Sequence, residues 1–157
     1  MVSAGGTHIN RDSNGNFEGT ESCWDGSGGG LSSMEQAPSY QFIITNLTGP
    51  KRGTPDLAAD ADPASGVDVY STTGCGGWCQ VGGTSVSSPV LAGIVNAAGS
   101  FMPSTNAELT KTYLEYQRPI LWKTNFFDIV TGNNGARAEF GWDLCTGIGC
   151  PRKLAGL

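Results

Sequence analysis

Ser85, within the stretch VGGTSVSSPVLAG at residues 81–93, is the side chain best placed for covalent chemistry. Gly82 and Gly83 permit a sharp turn, and a helical pattern follows, so we expect Ser85 at a helix amino terminus. A nucleophilic serine needs exposure, a base and stabilisation of the developing oxyanion, and the positive end of the helix dipole favours negative charge there. The alternative is that Thr84 or Ser85 is only a helix N-cap, which a lone GTS sequence would favour.

Asp128 and Asp143 have the residue type and surroundings of a calcium site. They lie fifteen residues apart in FFDIVTGNNGARAEFGWDLCTGIG, joined by a loop rich in glycine and asparagine. Calcium prefers hard oxygen ligands, and carboxylates mixed with backbone carbonyls suit it. On this pattern alone, a solvated acidic turn is an equally good interpretation.

Glu21, Asp25 and His8 are further side chains that could act as acids or bases. Glu21 and Asp25 have the i, i+4 spacing that shares a helix face, but ESCWDGSGGG is flanked by glycines and lacks an apolar helical period. We therefore expect them in a loop rather than as a catalytic pair. The single histidine lies on a predicted strand, and we expect it at the surface or at a sheet edge.

The elements that must position these side chains alternate between short strands and helices, which predicts an α/β layer fold. Expected strands are residues 1–9, 41–47, 67–70 and 80–81, and a polar, glycine-rich loop is expected at residues 11–33. Expected helices are residues 85–98 and 106–117. The first is apolar around nearly its whole circumference, which predicts a buried helix, and the second has one face of Leu109, Tyr113 and Tyr116 with a cap at Thr105 or Asn106.

The five cysteines form two close pairs and one singleton, Cys23. Four-thiolate zinc sites usually contain Cys-x-x-Cys pairs, and the spacings here are wider. We expect two local disulfides, Cys75–Cys79 and Cys145–Cys150, although spacing alone leaves the connectivity open. A glycosylation tripeptide at Asn46 agrees weakly with a secreted or lumenal setting.

Composition bounds the class of protein. A chain of 157 residues with 38% hydrophobic and 15% charged residues is one globular domain with a core. The net charge is −5 and the basic residues are scattered, which argues against a nucleic-acid partner. No apolar run approaches the roughly 18 residues of a membrane span, and the amino terminus lacks the layout of a signal peptide.

Several motifs together resemble the sedolisin family of serine-carboxyl peptidases, whose fold is related to that of subtilisin. The resemblance covers nearly the whole chain in order: SAGGTHI at 3–9, ESCWD with GSGGGLS at 21–32, RGTPDLAADADPASGVDVY at 52–70, GGTSVSSPVLAG at 82–93, and a closing calcium loop at 128–150. Ordinary subtilases are the nearest rival, but their serine motif carries a histidine where Val90 stands here. A Ser-His-Asp enzyme needs a histidine base.

The resemblance implies a fold and a set of site residues. Residues 1–157 are expected to form the carboxy-terminal portion of a sedolisin-like catalytic domain, which is the carboxy-terminal half of a subtilisin-like, three-layer α/β fold with a parallel sheet. Ser85 is implied as the nucleophile, and Gly28, Gly29 and Gly30 as part of the substrate cleft. The family's base is a glutamate oriented by an aspartate four residues later, and a further aspartate stabilises the oxyanion; all three are expected upstream of Met1.

The resemblance also implies a Ca²⁺ site. Side-chain oxygens would come from Asp128 and Asp143, carbonyls from Ile129, Glu139 and Gly141, and a water would complete the set. The family usually has glycine at the position of Glu139, but a carbonyl ligand tolerates any side chain whose backbone angles fit. Asp60 and Asp62 are implied to be turn formers rather than acids.

The expected function is hydrolysis of peptide bonds at acidic pH through an acyl-enzyme on Ser85, in a secreted or lumenal acidic compartment. Carboxylates acting in place of histidine suit an acidic operating pH. The alternative is a catalytically inactive, calcium-stabilised homologue that binds a peptide or protein. The expected partners are a peptide or protein substrate and the missing amino-terminal half of the same domain, with neither nucleic acid nor membrane.

Overall fold

The computed structural model describes residues 1–154 and 157 as a mixed α/β fold. The strands are β1 (Ala4–Arg11), β2 (Phe17–Cys23), β3 (Gly30–Gln36), β4 (Lys51–Thr54), β5 (Leu57–Asp60), β6 (Val67–Ser71), β7 (Gly77–Val81), β8 (Phe126–Phe127) and β9 (Cys150–Pro151). The helices are α1 (Thr45–Thr48), α2 (Thr84–Ala98), α3 (Thr105–Tyr116) and α4 (Pro119–Asn125), and a 3-10 helix spans Ser39–Ile44. In the part of the chain so described, no helix is long and apolar enough to cross a membrane.

The central sheet has the order β2-β1-β5, with β1 parallel to β5 and antiparallel to β2. Side chains alternate across β5, so Leu57 and Ala59 join the larger core cluster, which includes Leu91 of α2 and Leu109 of α3. Ala58 faces the other side, where a second cluster contains the carboxy-terminal loop. The parallel pair, covered on both faces, confirms the predicted α/β class.

A buried polar network holds the start of β5 in place. Asp56 is fully buried and accepts hydrogen bonds from Arg52, from the Ser3 amide at 2.9 Å and from the Tyr113 hydroxyl at 3.0 Å. Gln41 donates to Tyr113 Oη at 2.8 Å. Burial raises the pKa of Tyr113 well above its ordinary value, so the hydroxyl stays protonated and remains a donor. The network therefore joins β4, β5, α3 and the segment before β1.

Two predicted elements are wrong, the loop at 11–33 and the strand at 41–47. The expected loop at 11–33 contains β2 and most of β3. A turn at Asp12 joins β1 to β2. Most residues of β2 are polar and exposed, so the sequence shows no clear strand pattern there. The expected strand at 41–47 is helical: its first residues belong to the end of the 3-10 helix, and its last residues belong to α1. Its Gln41 side chain is buried against Gly53 and Tyr113, contacts that local propensity does not encode.

Both predicted helices are present, with corrections to burial and capping. In α2 only Ser87 and Leu91 are buried, and Val90 is 37% exposed, so the prediction of a buried helix is wrong for this chain. The cap of α3 is Ser104, whose hydroxyl accepts from the Ala107 amide at 3.2 Å, because the helix begins one residue earlier than expected. Its apolar face, with Leu109 buried, is confirmed.

The disulfide prediction is half right. Cys75–Cys79 is present, but Cys145 pairs with Cys23 rather than with Cys150. Cys23 ends β2, and the carboxy-terminal loop returns beneath the sheet to meet it across 122 residues of sequence. Within the described residues Cys150 is a buried free thiol.

Candidate active site

The turn before α2 presents Ser85. The chain leaves β7, passes through Gly82 and reaches Gly83, whose φ of +99° is a conformation that side chains other than glycine rarely adopt. A side chain at Gly82 would collide with the backbone of Ala61 and Pro63. The two glycines are thus required for the turn, as the sequence predicted.

Ser85 is the second residue of α2, it is exposed, and none of the described residues hydrogen-bonds its hydroxyl. The N-cap is Gly83, which has no side chain, so neither Thr84 nor Ser85 performs the capping role. The amides of a helix's first turn lack intrahelical partners, and the dipole favours negative charge there. The position suits a nucleophile beside a developing oxyanion.

The turn lies at the carboxyl end of the parallel strand pair. The Gly83 amide donates to the carbonyl of Ala61, and the Ala61 amide donates to the carbonyl of Thr7 on β1 at 2.9 Å. In open α/β sheets, ligands bind outside the carboxyl ends of the strands. Ser85 therefore stands at the edge of the sheet where such a fold places its chemistry.

No base contacts Ser85 within the described part of the chain. His8 is bound through Nδ1 to Asp62 Oδ2 at 2.9 Å, and no hydrogen bond joins it to the serine. Asp62 Oδ1 also accepts from the Ala64 amide at 2.8 Å, which confirms its role as a turn former. Asp60 accepts from Ser65 Oγ at 2.6 Å, and burial raises the pKa of this aspartate.

Glu21 and Asp25 do not share a helix. Glu21 lies on β2 rather than in the expected loop, whereas Asp25 is exposed in the turn that follows. The carboxylate of Glu21 accepts a hydrogen bond from Cys150 Sγ at 3.0 Å. Burial raises the pKa of Glu21, and the hydrogen bonds from Cys150 and Thr7 partly oppose that shift.

Gly28, Gly29 and Gly30 line a shallow hollow together with Thr54. Gly30 pairs with Thr54, which precedes β5, whereas the serine turn contacts Ala61, which follows β5. The glycine segment and Ser85 therefore lie at opposite ends of that strand, and these residues alone do not bring them together.

The carboxy-terminal loop gathers the five residues of the predicted calcium site. The Gly141 amide donates to Asp128 Oδ1 at 3.2 Å, and the Glu139 amide donates to Asp143 Oδ2 at 2.9 Å. Burial raises the pKa of Asp128 and of Asp143, and the charge of Asp143 raises that of Asp128 further. Ile129, whose backbone carbonyl is a predicted ligand, is fully buried.

The donor set fits a hard cation. Over the described ranges, the carbonyls of Ile129, Glu139 and Gly141 accept no backbone hydrogen bond. Ile129 and Gly141 are buried whereas Glu139 is exposed. A buried carbonyl without a donor is costly, and a calcium ion would satisfy those of Ile129 and Gly141. Within residues 1–154 and 157, no group of three or more His, Cys, Asp or Glu side chains is arranged to hold a metal ion, so backbone oxygens would have to complete the ligand set.

Comparison with known proteins adds an independent line of support. Kumamolisin from Bacillus sp. (strain MN-32) is 34% identical over 79% of this chain and 23% of its own length. Sedolisin from Pseudomonas sp. (strain 101) is 29% identical over 95% of this chain and 27% of its own length. No family model matches the sequence.

A solved structure shares the fold. Pseudomonas sedolisin, a serine-carboxyl proteinase complexed with pseudo-iodotyrostatin, aligns with a TM-score of 0.79 and 29% identity, over 96% of this chain and 43% of that one. The sheet and the glycine turn before α2 therefore form part of a subtilisin-like, mixed α/β fold with a parallel sheet.

The relatives specify the family within that class. The chain belongs to the sedolisin family of serine-carboxyl peptidases, and it spans about a quarter of the length of these two curated relatives.

Proposed function

We propose that Ser85 is the nucleophile of a peptidase that cleaves peptide bonds at acidic pH. The observation that carries the proposal is the exposed, uncommitted hydroxyl at the amino terminus of α2, after a turn that requires glycine. A base removes the Oγ proton as the oxygen attacks the peptide carbonyl carbon, and the carbon–nitrogen bond then breaks as the amine leaves with a proton. Water hydrolyses the resulting ester and restores the serine.

The base and the oxyanion aspartate are proposed to come from an amino-terminal half of the domain, upstream of this chain. Two features support this proposal. The chain aligns with 43% of sedolisin, and α2 carries no charged residue although most of it is exposed. An exposed helix without charges fits a surface that another part of a domain covers.

A chimera tests this assignment. The chain replaces its aligned counterpart in Pseudomonas sedolisin, and peptide hydrolysis and labelling by a serine-directed phosphonate are measured at about pH 4. We expect labelling at Ser85, loss of both signals in Ser85→Ala, and retention in Ser88→Ala, an exposed serine one turn later on α2. Activity that survives Ser85→Ala, or a folded chimera that hydrolyses nothing, contradicts the proposal.

The unmodified chain separates the two functional alternatives. We expect no labelling of the chain by itself, because no described residue supplies a base to Ser85. Labelling that Ser85→Ala abolishes would show that the chain is an autonomous enzyme. An inactive chimera whose chain still binds peptide would favour the alternative, a non-catalytic binding module stabilised by calcium.

We further propose that the loop binds Ca²⁺ through Asp128, Asp143 and the carbonyls of Ile129, Glu139 and Gly141. The ion would neutralise the buried carboxylate of Asp143 and the half-buried one of Asp128, and it would fix the loop beneath the sheet, a structural role. The carbonyls without donors and the raised pKa of both aspartates support the site.

Thermal denaturation with and without a chelator tests the calcium proposal. Chelation should lower the melting temperature, and added Ca²⁺ should restore it. Asp128→Asn and Asp143→Asn should abolish this response, whereas Asp25→Asn, at an exposed position, should retain it. An unchanged melting temperature after chelation would contradict occupancy of the loop.

A secreted or lumenal acidic compartment is the proposed setting, with peptides or proteins as substrates. The two disulfides support an oxidising environment. Detection of both disulfides in protein isolated without reductant tests this part, and fully reduced cysteines would contradict it.

A further inference from the structure

A cavity of about 170 Å³ lies between α2 and α3, over the starts of β1 and β5. Its walls are mainly apolar and include Val2, Ala4, Leu57, Leu91, Val95 and Leu109. The wall also includes Ser88, one turn after Ser85 on α2, but neither Ser85 nor the glycine turn lines the cavity. The cavity is therefore distinct from the proposed catalytic turn.

Glu108 is the charged residue in this apolar wall. Glu108 is only 9% exposed, and its Oε1 atom is buried without a hydrogen-bond partner in the described structure. No ion pair with Glu108 is formed there. The neighbouring Thr112 hydroxyl donates to the Glu108 backbone carbonyl at 3.0 Å, so its proton is already used.

Glu108 Oε1 is an acceptor that lacks a donor in the described structure. It lies in the first turn of α3, where the helix dipole stabilises negative charge. A buried acceptor without a partner is costly, and an ionised carboxylate is best satisfied by a cationic donor. The cavity thus combines an apolar chamber with one acceptor suited to an ammonium group.

The size of the chamber limits the ligand. An apolar protein cavity of about 150 Å³ accommodates benzene, so a chamber of similar volume accepts a single six-membered ring or a short alkyl chain. We propose that this cavity binds small apolar primary amines, with the apolar body between Leu91 and Leu109 and the ammonium group on Glu108 Oε1. Benzylamine is the simplest probe of this class.

Binding of benzylamine and of its neutral counterpart benzyl alcohol tests the proposal by calorimetry at pH 7. A charge-assisted hydrogen bond should make the amine bind about tenfold more tightly than the alcohol. Glu108→Gln should reduce that ratio to about one to two, because it removes the negative charge. The matched control Glu35→Gln alters an exposed carboxylate and should leave the ratio unchanged.

A second variant keeps the test decisive if Glu108→Gln does not fold. Ala92 lines the cavity from its exposed rim, so Ala92→Phe should fill the chamber and abolish binding of both compounds. Absence of amine binding to the unmodified chain, equal affinity for amine and alcohol, or full binding in Ala92→Phe would overturn the proposal. None of these measurements depends on peptidase activity, so they stand apart from the test of Ser85.

Discussion

Replacing Asp56 by asparagine should destabilise the protein severely, because the substitution removes the charge that a buried arginine needs. Asp56 is completely buried, and Arg52 is 8% exposed. The asparagine carbonyl can still accept from the Tyr113 hydroxyl. Its amide group, however, would face Arg52 and the Ser3 amide, both of which are donors.

The expected magnitude follows from the loss of one partner of a buried ion pair, which costs about 3–5 kcal/mol. Because total stabilities are about 5–15 kcal/mol, this loss is a large fraction of the whole. At about 2–4 °C per kcal/mol for a domain of this size, the melting temperature should fall by about 6–20 °C.

Urea denaturation followed by circular dichroism measures the effect. The control is Asp68→Asn on β6, an exposed aspartate whose substitution should change stability by less than about 0.5 kcal/mol. If Asp56→Asn lost no more than about 1 kcal/mol relative to that control, the network would not hold the start of β5 as the hydrogen bonds indicate.

Two further predictions concern pH and the serine turn. Burial raises the folded-state pKa of Glu21 above 4.5, so its stabilising contribution is complete below that pH and is lost as the pH rises through the raised value. Glu21→Gln should therefore reduce the change in the urea midpoint between about pH 4 and 7. The exposed control Glu18→Gln should keep the pH dependence of the unmodified chain. If Glu21→Gln and the unmodified chain showed the same pH dependence, the prediction would be refuted. Gly83→Ala should destabilise the fold by about 1 kcal/mol or more because φ is +99°. Gly93→Ala, in the helix interior with open space at its Cβ, should stabilise it by about 0.5–1 kcal/mol, and thermal melts that showed the reverse order would contradict the turn geometry.

Features set by neighbouring residues were predictable from the sequence. The glycine turn, the start of α2, the apolar face of α3 and the Cys75–Cys79 bridge each depend on contacts within a few residues. Local patterns specify these features because few competing conformations satisfy the same short sequence. The calcium loop differs, because its five ligand candidates, from Asp128 to Asp143, were implied by the family resemblance rather than by the local pattern, and binding of Ca²⁺ stays a prediction.

Features set by distant contacts were not predictable. Gln41 reads as part of a strand, yet its amide is buried on Tyr113, 72 residues away. Cys145 has a near neighbour in Cys150 but pairs with Cys23, 122 residues away. Glu108 resembles an ordinary first-turn acid, and only the packing of α2 and Val2 against α3 encloses it. In each case tertiary packing overrides a reasonable local interpretation.

The incorrect prediction for α2 carries information about function. Its residues, TSVSSPVLAGIVNAA, include no charge, and they predict a helix surrounded by protein, whereas most of them are exposed in this chain. The proposal that another part of the domain covers α2 accounts for this disagreement, and the chain spans about a quarter of the length of the two relatives. Ser85 is similarly incomplete: it is exposed at a helix amino terminus, but no base among the described residues is hydrogen-bonded to it. A single covering segment that packs on α2 and supplies carboxylates to its first turn would resolve both deficits, because the serine and the uncharged surface belong to one helix.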